Sequence, residues 1–113
     1  MSIKQFDLWI ANLNPQKGTE PGKKRPVVVL QTDLLNQTGH PSTIVCPLTT
    51  NVQKDIDLLR VHISEGTYLP KPSDILVDQI RAIDNRRLEQ RIGRLPRSLD
   101  QKLKENIRII LDL

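Results

Sequence analysis

Cysteine is nearly absent from this chain: among 113 residues only Cys46 carries a thiol, so no internal disulfide is expected. His40 and His62 are the only histidines, and one thiol with two imidazoles is too few for a structural zinc cluster. Aromatics are just as sparse. Phe6, Trp9 and Tyr68 are the full set, whereas a base-stacking nucleic-acid platform needs several aromatics on adjacent strands. Phe6 and Trp9 lie an odd number of positions apart, so on one strand they face opposite sides. No apolar run approaches the roughly 20 residues of a membrane-spanning helix. Met1-Ser2-Ile3-Lys4-Gln5 also lacks the apolar core of a leader. These absences point to a cytoplasmic single domain that uses no metal or cofactor and no membrane.

What the chain does have is positive charge in particular places. The net charge is +4, with 17 Lys and Arg against 13 Asp and Glu. Lys17, Lys23, Lys24 and Arg25 outweigh Glu20 across 17–25, and six arginines outweigh Asp84 and Glu89 across 81–97. The remainder is net acidic, so the basicity is local. Two such segments make a phosphate-binding surface if the fold joins them; otherwise they are solvated arginines that guard strand edges.

Eight prolines and five glycines punctuate the chain. Asp7 to Leu13 is rich in strand formers and stops at Asn14-Pro15. Residues 14–24, NPQKGTEPGKK, contain no apolar side chain and predict a long loop of the kind that carries function. Pro26 then opens Val27-Val28-Val29-Leu30, a β-branched run typical of a strand covered on both faces. Residues 31–42 are a polar stretch with turn chemistry. Further strands are expected at 43–48, 60–63, 74–81 and 92–95. Ser98 and Gln101 form a capping-box pattern, and Leu99, Leu103, Ile107, Ile110 and Leu111 recur at helical spacing beyond it. Ile109 falls off that stripe, where a subunit contact would use it. The expected architecture is mainly β, a small strongly bent barrel with a C-terminal helix packed on it.

Three polar clusters fall at expected strand ends: Thr19-Glu20 with Arg25, Thr49-Thr50, and Ser73-Asp74 with Asp78-Gln79 and Arg81. The glycine loop lacks the spacing of a nucleotide-binding P-loop, and no serine sits in a nucleophile elbow. Cys46 lies in an apolar strand and is expected to be packed and unreactive. Arginine, carboxylate and threonine together form a kit for cutting RNA without metal. RNA supplies its own nucleophile in the 2′-hydroxyl, so the protein needs a proton acceptor and charge stabilisation. An arginine fork holds two phosphoryl oxygens, and a hydroxyl completes the contacts. The plainer use of Glu20 and Arg25 is an ion pair that steadies the loop.

Taken in order, FDLWIANLNPQKGTEPGKKRPVVVLQ, IVCPLTTN, SDILVDQIRAID, RRL and IGRL resemble the MazF/PemK family of toxin endoribonucleases over nearly the whole chain. The most specific pieces are the GTEPGKKRPVVVL loop and strand and the VDQIRAID segment. The resemblance implies an SH3-like barrel with a C-terminal helix, a homodimer, and metal-free cleavage of single-stranded RNA, often mRNA. It sets Arg25 on the family's catalytic arginine, Thr49 on its catalytic threonine, and Glu20 on a loop acid with an active-site role in some members. Asp78 falls on an acid used elsewhere as base or RNA contact. Lys17, Thr19, Lys24, Thr50, Ser73, Gln79 and Arg81 join Asp78 as expected RNA-binding residues. The implied partner is an acidic antitoxin, whose complex with the toxin binds DNA. Leu76 and Thr19 stand where subgroups carry an arginine and a histidine, so their acid–base scheme does not transfer, and Phe6 replaces the usual glycine before Asp7. Two other readings of such a barrel are a non-catalytic nucleic-acid- or protein-binding module and a gyrase-directed toxin.

Overall fold

The computed structural model describes residues 2–20, 22–64 and 68–113; Pro21 of the loop motif lies outside them. The strands among these residues are β1 (Asp7–Asn12), β2 (Lys24–Val29), β3 (Ser42–Thr49), β4 (Arg60–Ile63), β5 (Ser73–Leu76), β6 (Arg81–Asp84) and β7 (Leu88–Arg94). Helix α1 (Asp33–Asn36) lies between β2 and β3, and α2 (Asp100–Leu111) closes the chain. All pairings are antiparallel, in the order β4-β5-β3-β2-β1-β7, with β6 also on β3. The sheet bends like a barrel but stays open between β4 and β7. It is mainly β with a C-terminal helix, as the sequence indicates.

Strand β3 makes the bend. Its first half, Ser42 to Val45, pairs with β6, its middle with β2, and Leu48-Thr49 with β5. The segment 74–81, expected to be one strand, is therefore two. Ser73–Leu76 and Arg81–Asp84 pair with different parts of β3, and the chain steps between them through a 3-10 turn at Val77–Gln79. Val77 is buried there, and its N–H donates to Leu59 O at 3.0 Å. Hydrophobicity continues through the turn, so the break leaves no mark in the sequence.

Both faces of the central strands are covered. Leu8, Val28, Cys46 and Leu48 point into one apolar cluster, and Trp9, Ala11, Val27, Val29 and Val45 into the other. The unbroken Val27-Val28-Val29 run reflects that double burial. Phe6, which precedes β1 with a φ of +67°, and Trp9 of β1 fall in opposite clusters. Pro26 costs β2 no bond to β3, because that ladder starts at Val27.

Three expectations need correction. Strand β7 begins at Leu88 rather than Ile92, since exposed Glu89, Gln90 and Arg91 mask its alternation. Helix α1, inside the polar stretch 31–42, is too short to show periodicity; Thr32 Oγ1 caps it by accepting from Leu34 N at 3.3 Å. The Ser98–Gln101 capping box does not form, because Arg97–Leu99 is a 3-10 turn and α2 starts without a side-chain cap. Its start is held instead by a two-pronged contact from Arg94 to Asp100 at 2.8 and 3.1 Å. On the helix, Leu103 is fully buried and Leu99, Ile107 and Ile110 pack on the core, while Leu111 joins Ile109 in being more than half exposed.

Candidate active site

Arg25 enters the site from the start of β2, opposite Ala11 of β1. Its Nε donates to Gly22 O at 3.1 Å and its Nη1 to Leu48 O at 3.2 Å. These bonds leave guanidinium N–H groups over and hold the fork in one orientation. Partial burial draws its pKa down from the ordinary arginine value.

Thr49 ends β3, at the point where β5 begins. Its Oγ1 accepts from Asn51 N at 3.1 Å, which leaves the hydroxyl proton to donate elsewhere. Ser73, the buried first residue of β5, donates to Lys71 O at 3.2 Å. Lys23, Lys24, Arg25, Thr49, Thr50 and Ser73 line one open cavity of about 180 Å³. The structure thus brings together the expected Lys24, Arg25, Thr49, Thr50 and Ser73. Lys24 lies 3.2 Å from Glu89 on an exposed edge. Lys23, counted in the basic segment 17–25 but not among the expected RNA-binding residues, has a φ of +57° that turns the chain out of the loop and into β2.

The other expected residues lie apart from that cavity. Thr19, Asp78 and Gln79 line a second hollow of about 280 Å³ with Leu59, Arg60 and Leu76. Glu20 is not paired with Arg25. Its carboxylate faces Arg81 Nη1 at 3.7 Å, a charge contact too long for a hydrogen bond, and Nη1 is buried with no hydrogen-bond partner among the described residues. Lys17 is exposed on the loop, where its carbonyl accepts from Glu20 N at 2.9 Å. Cys46 is buried in the apolar cluster, and desolvation, with the Asp78 charge second, pushes its thiol up to about 12. It is a packing residue. Among the described residues no three His, Cys, Asp or Glu side chains are grouped as metal ligands would be, and no helix is long and apolar enough to cross a membrane.

One cluster was not assembled by the sequence reading, which gave His62 no functional role. Asp74 is 1% exposed, and its carboxylate accepts from Arg60 Nη1 at 3.1 Å, from Gln53 N at 3.0 Å, and contacts His62 Nδ1 at 3.0 Å. The available signal was the alternation Arg60-Val61-His62-Ile63, which places both cationic types on one strand face. Through Gln53, Asp74 also ties down the segment that follows Thr49.

Chemically, the first cavity combines a fixed guanidinium, two threonine hydroxyls and two lysines, a set suited to gripping a phosphodiester. Among its lining residues there is no carboxylate. Comparison with known proteins identifies the family. Residues 4–111 match the model of the PemK-like, MazF-like toxins of type II toxin–antitoxin systems. The chain is 37% identical over 114 aligned positions to endoribonuclease EndoA of Bacillus subtilis, covering all of this chain and 97% of that protein. It superimposes on the Mycobacterium tuberculosis toxin MazF-mt6 with a TM-score of 0.78 at 27% identity, covering 95% of this chain and 97% of that one. MazF from Deinococcus radiodurans shares the fold at 21% identity, with a TM-score of 0.86 over 100% of this chain and 99% of that one. In a MazE–MazF crystal structure from the same organism the score is 0.80 at 20% identity, with the same coverage. The chain belongs to the PemK-like, MazF-like toxin family of type II toxin–antitoxin systems.

Proposed function

We propose that this toxin is an endoribonuclease that cuts single-stranded RNA without a metal ion, by attack of the 2′-hydroxyl on the adjacent phosphorus. The carrying observation is the Arg25 guanidinium, fixed by two carbonyls in the same cavity as Thr49. The 2′-oxygen forms a bond to phosphorus as the bond to the 5′-oxygen breaks and that oxygen takes up a proton from solvent, which leaves a 2′,3′-cyclic phosphate and a 5′-hydroxyl. Arg25 stabilises the charge that gathers on the phosphoryl oxygens, and a preorganised donor gains strength because no reorganisation is needed. Thr49 donates to a phosphoryl oxygen. Glu20 or Asp78 accepts the 2′-hydroxyl proton, and either reaches the scissile phosphate only if the RNA draws its loop or turn toward Arg25. Lys17, Thr19, Lys24, Thr50, Ser73, Gln79 and Arg81 contact the strand.

The partners follow from the same reading. A homodimer is supported by the apolar hollow between α2 and β3, lined by Leu30, Ile44, Ile80, Ile107 and Leu111. An acidic antitoxin, as in the MazE–MazF complex of the relative, masks the basic segments in the cytoplasm. Mapping 5′ ends on a long mixed-sequence RNA in EDTA tests the activity. New 5′-hydroxyl ends at recurring short sequences are expected, and Arg25→Ala and Thr49→Ala should strongly reduce them. Cleavage undiminished in both variants would remove this assignment.

A further inference from the structure

We infer that the hollow beside Asp74 is a second phosphate subsite, which takes a backbone phosphate of the same RNA strand a short way from the bond being cut. This rests on the RNA-cleavage reading above, and its evidence begins in the strand register. His62 of β4 lies directly opposite Asp74 of β5, and Asp74 lies opposite Thr49 of β3. Directly opposed residues share a sheet face. β2 and β3 pair at Val27 and Pro47, so continuing the register by two positions puts Arg25 across from Thr49. Arg25, Thr49, Asp74 and His62 thus form one rung across four strands. With strands about 4.8 Å apart, His62 stands roughly 10 Å from Thr49 along the rung. The next nucleotides of a strand held at Arg25 and Thr49 reach that far.

The hollow itself, about 190 Å³, is lined by Gln53, Lys54, Asp57, Arg60, His62, Asp74 and Lys102, with Val52 at its edge. Asp74 is buried and its charge is met by Arg60, whose side chain is only 15% exposed. A carboxylate accepts only, so the His62 nitrogen facing it is the one that carries a proton, and Nε2 is the ring's other polar face. His62 is half exposed, which leaves the ring open to a ligand. Lys54 from the loop and Lys102 from α2 lie within 4 Å of no carboxylate among the described residues. Among the described residues, Asp57 is the one opposing acid in the lining besides Asp74. Two lysines and an oriented imidazole around a hollow without an aromatic suit a phosphate rather than a base, which would call for a stacking partner.

The test compares two uncleavable RNAs, carrying a 2′-deoxy group at the cut site. One is a minimal oligonucleotide spanning that site, and the other is extended by several nucleotides on both sides. Wild type, Lys54→Ala/Lys102→Ala and His62→Gln are titrated with each over a range of salt, and urea midpoints check folding. The expected result is a severalfold weaker Kd for the extended RNA in both variants, with the minimal one bound as in wild type. The double variant should also lose about 0.7 in salt slope for each lysine removed. Equal binding of the extended RNA by wild type and variants would overturn the subsite, as would an equal loss on both lengths. Weaker binding of an acidic antitoxin peptide alone, with both RNAs unaffected, would assign the hollow to a protein partner and also overturn it. Should wild type fail to cut normal RNA, the cleavage reading fails, yet the length dependence of these titrations still decides the subsite.

Discussion

At the scale of single residues, what sets Arg25 apart is how it is held. Gly22 O and Leu48 O take two of its N–H groups and fix the fork before any substrate arrives. Lysine has the charge but neither the plane nor the fork. Arg25→Ala is expected to lower single-turnover RNA cleavage by about 10²–10³-fold, the typical loss of one preorganised donor to a developing charge. Arg25→Lys should recover little of it, with the urea midpoint of both variants close to wild type. Asp84 offers a pH prediction. Hydrogen bonds from the Arg86 side chain and backbone hold its carboxyl at about 2, below the ordinary 3.8. A depressed carboxylate stabilises the fold above its unfolded value, and that contribution drains away as pH falls through the folded one. Between pH about 4 and 2, Arg86→Ala should therefore flatten the fall in stability, as seen in urea midpoints taken across that range. The sequence marked Arg25 and Thr49 through residue type and family pattern. It marked Asp74 only as part of a polar strand end and not its partners, because a buried carboxylate shared by Arg60, His62 and Gln53 depends on strands that are distant in the chain.

Among the elements, the loop between β1 and β2 governs the site. It is pinned at its base, where Asn14 Oδ1 accepts from Lys23 N and Arg87 Nη1 reaches the carbonyls of Asn12 and Asn14. Gly22 is packed so closely that a Cβ there would meet Gln16 Cβ at 2.5 Å. Because Gly22 O also anchors Arg25, Gly22→Ala should shift the guanidinium while leaving the core untouched. The expected outcome is reduced cleavage with a nearly unchanged thermal midpoint, measured on the same preparation. Strands β1 to β4 were legible because alternation, Pro-Asn turns and β-branched runs are local signals. The division of 73–84 into two strands was not, since it answers to the bend of β3 rather than to anything in 73–84 itself. The same holds for the start of α2: Ser98 and Gln101 have the pattern of a cap, and Arg94 bound to Asp100 takes its place.

For the whole molecule, one apolar face stays uncovered. Ile44 is 39% exposed and Leu111 is 51% exposed, and both border the hollow between β3 and α2. If two copies meet there, sedimentation equilibrium of the wild type should give twice the 12.9 kDa of one chain. Leu111→Glu should then shift the protein toward the single-chain mass, since a carboxylate buried in such a contact has no partner. Mass unchanged by the substitution would place the dimer contact elsewhere. The net charge of +4 has likewise become a matter of placement. Lys23, Lys24 and Arg25 gather at one end of the sheet, while Arg86 and Arg94 are engaged with Asp84 and Asp100. The order and kind of most elements, the double burial of the central strands and the family were all written in the linear pattern, because they depend on neighbours a few residues apart. Which carboxylate meets which cation was decided only by the folded sheet. Glu20 turned to Arg81 instead of Arg25, and Asp74, in the rung of Thr49, took His62 and Arg60 as its partners. Such pairings depend on strand register and bend, which bring residues distant in the chain within hydrogen-bonding range.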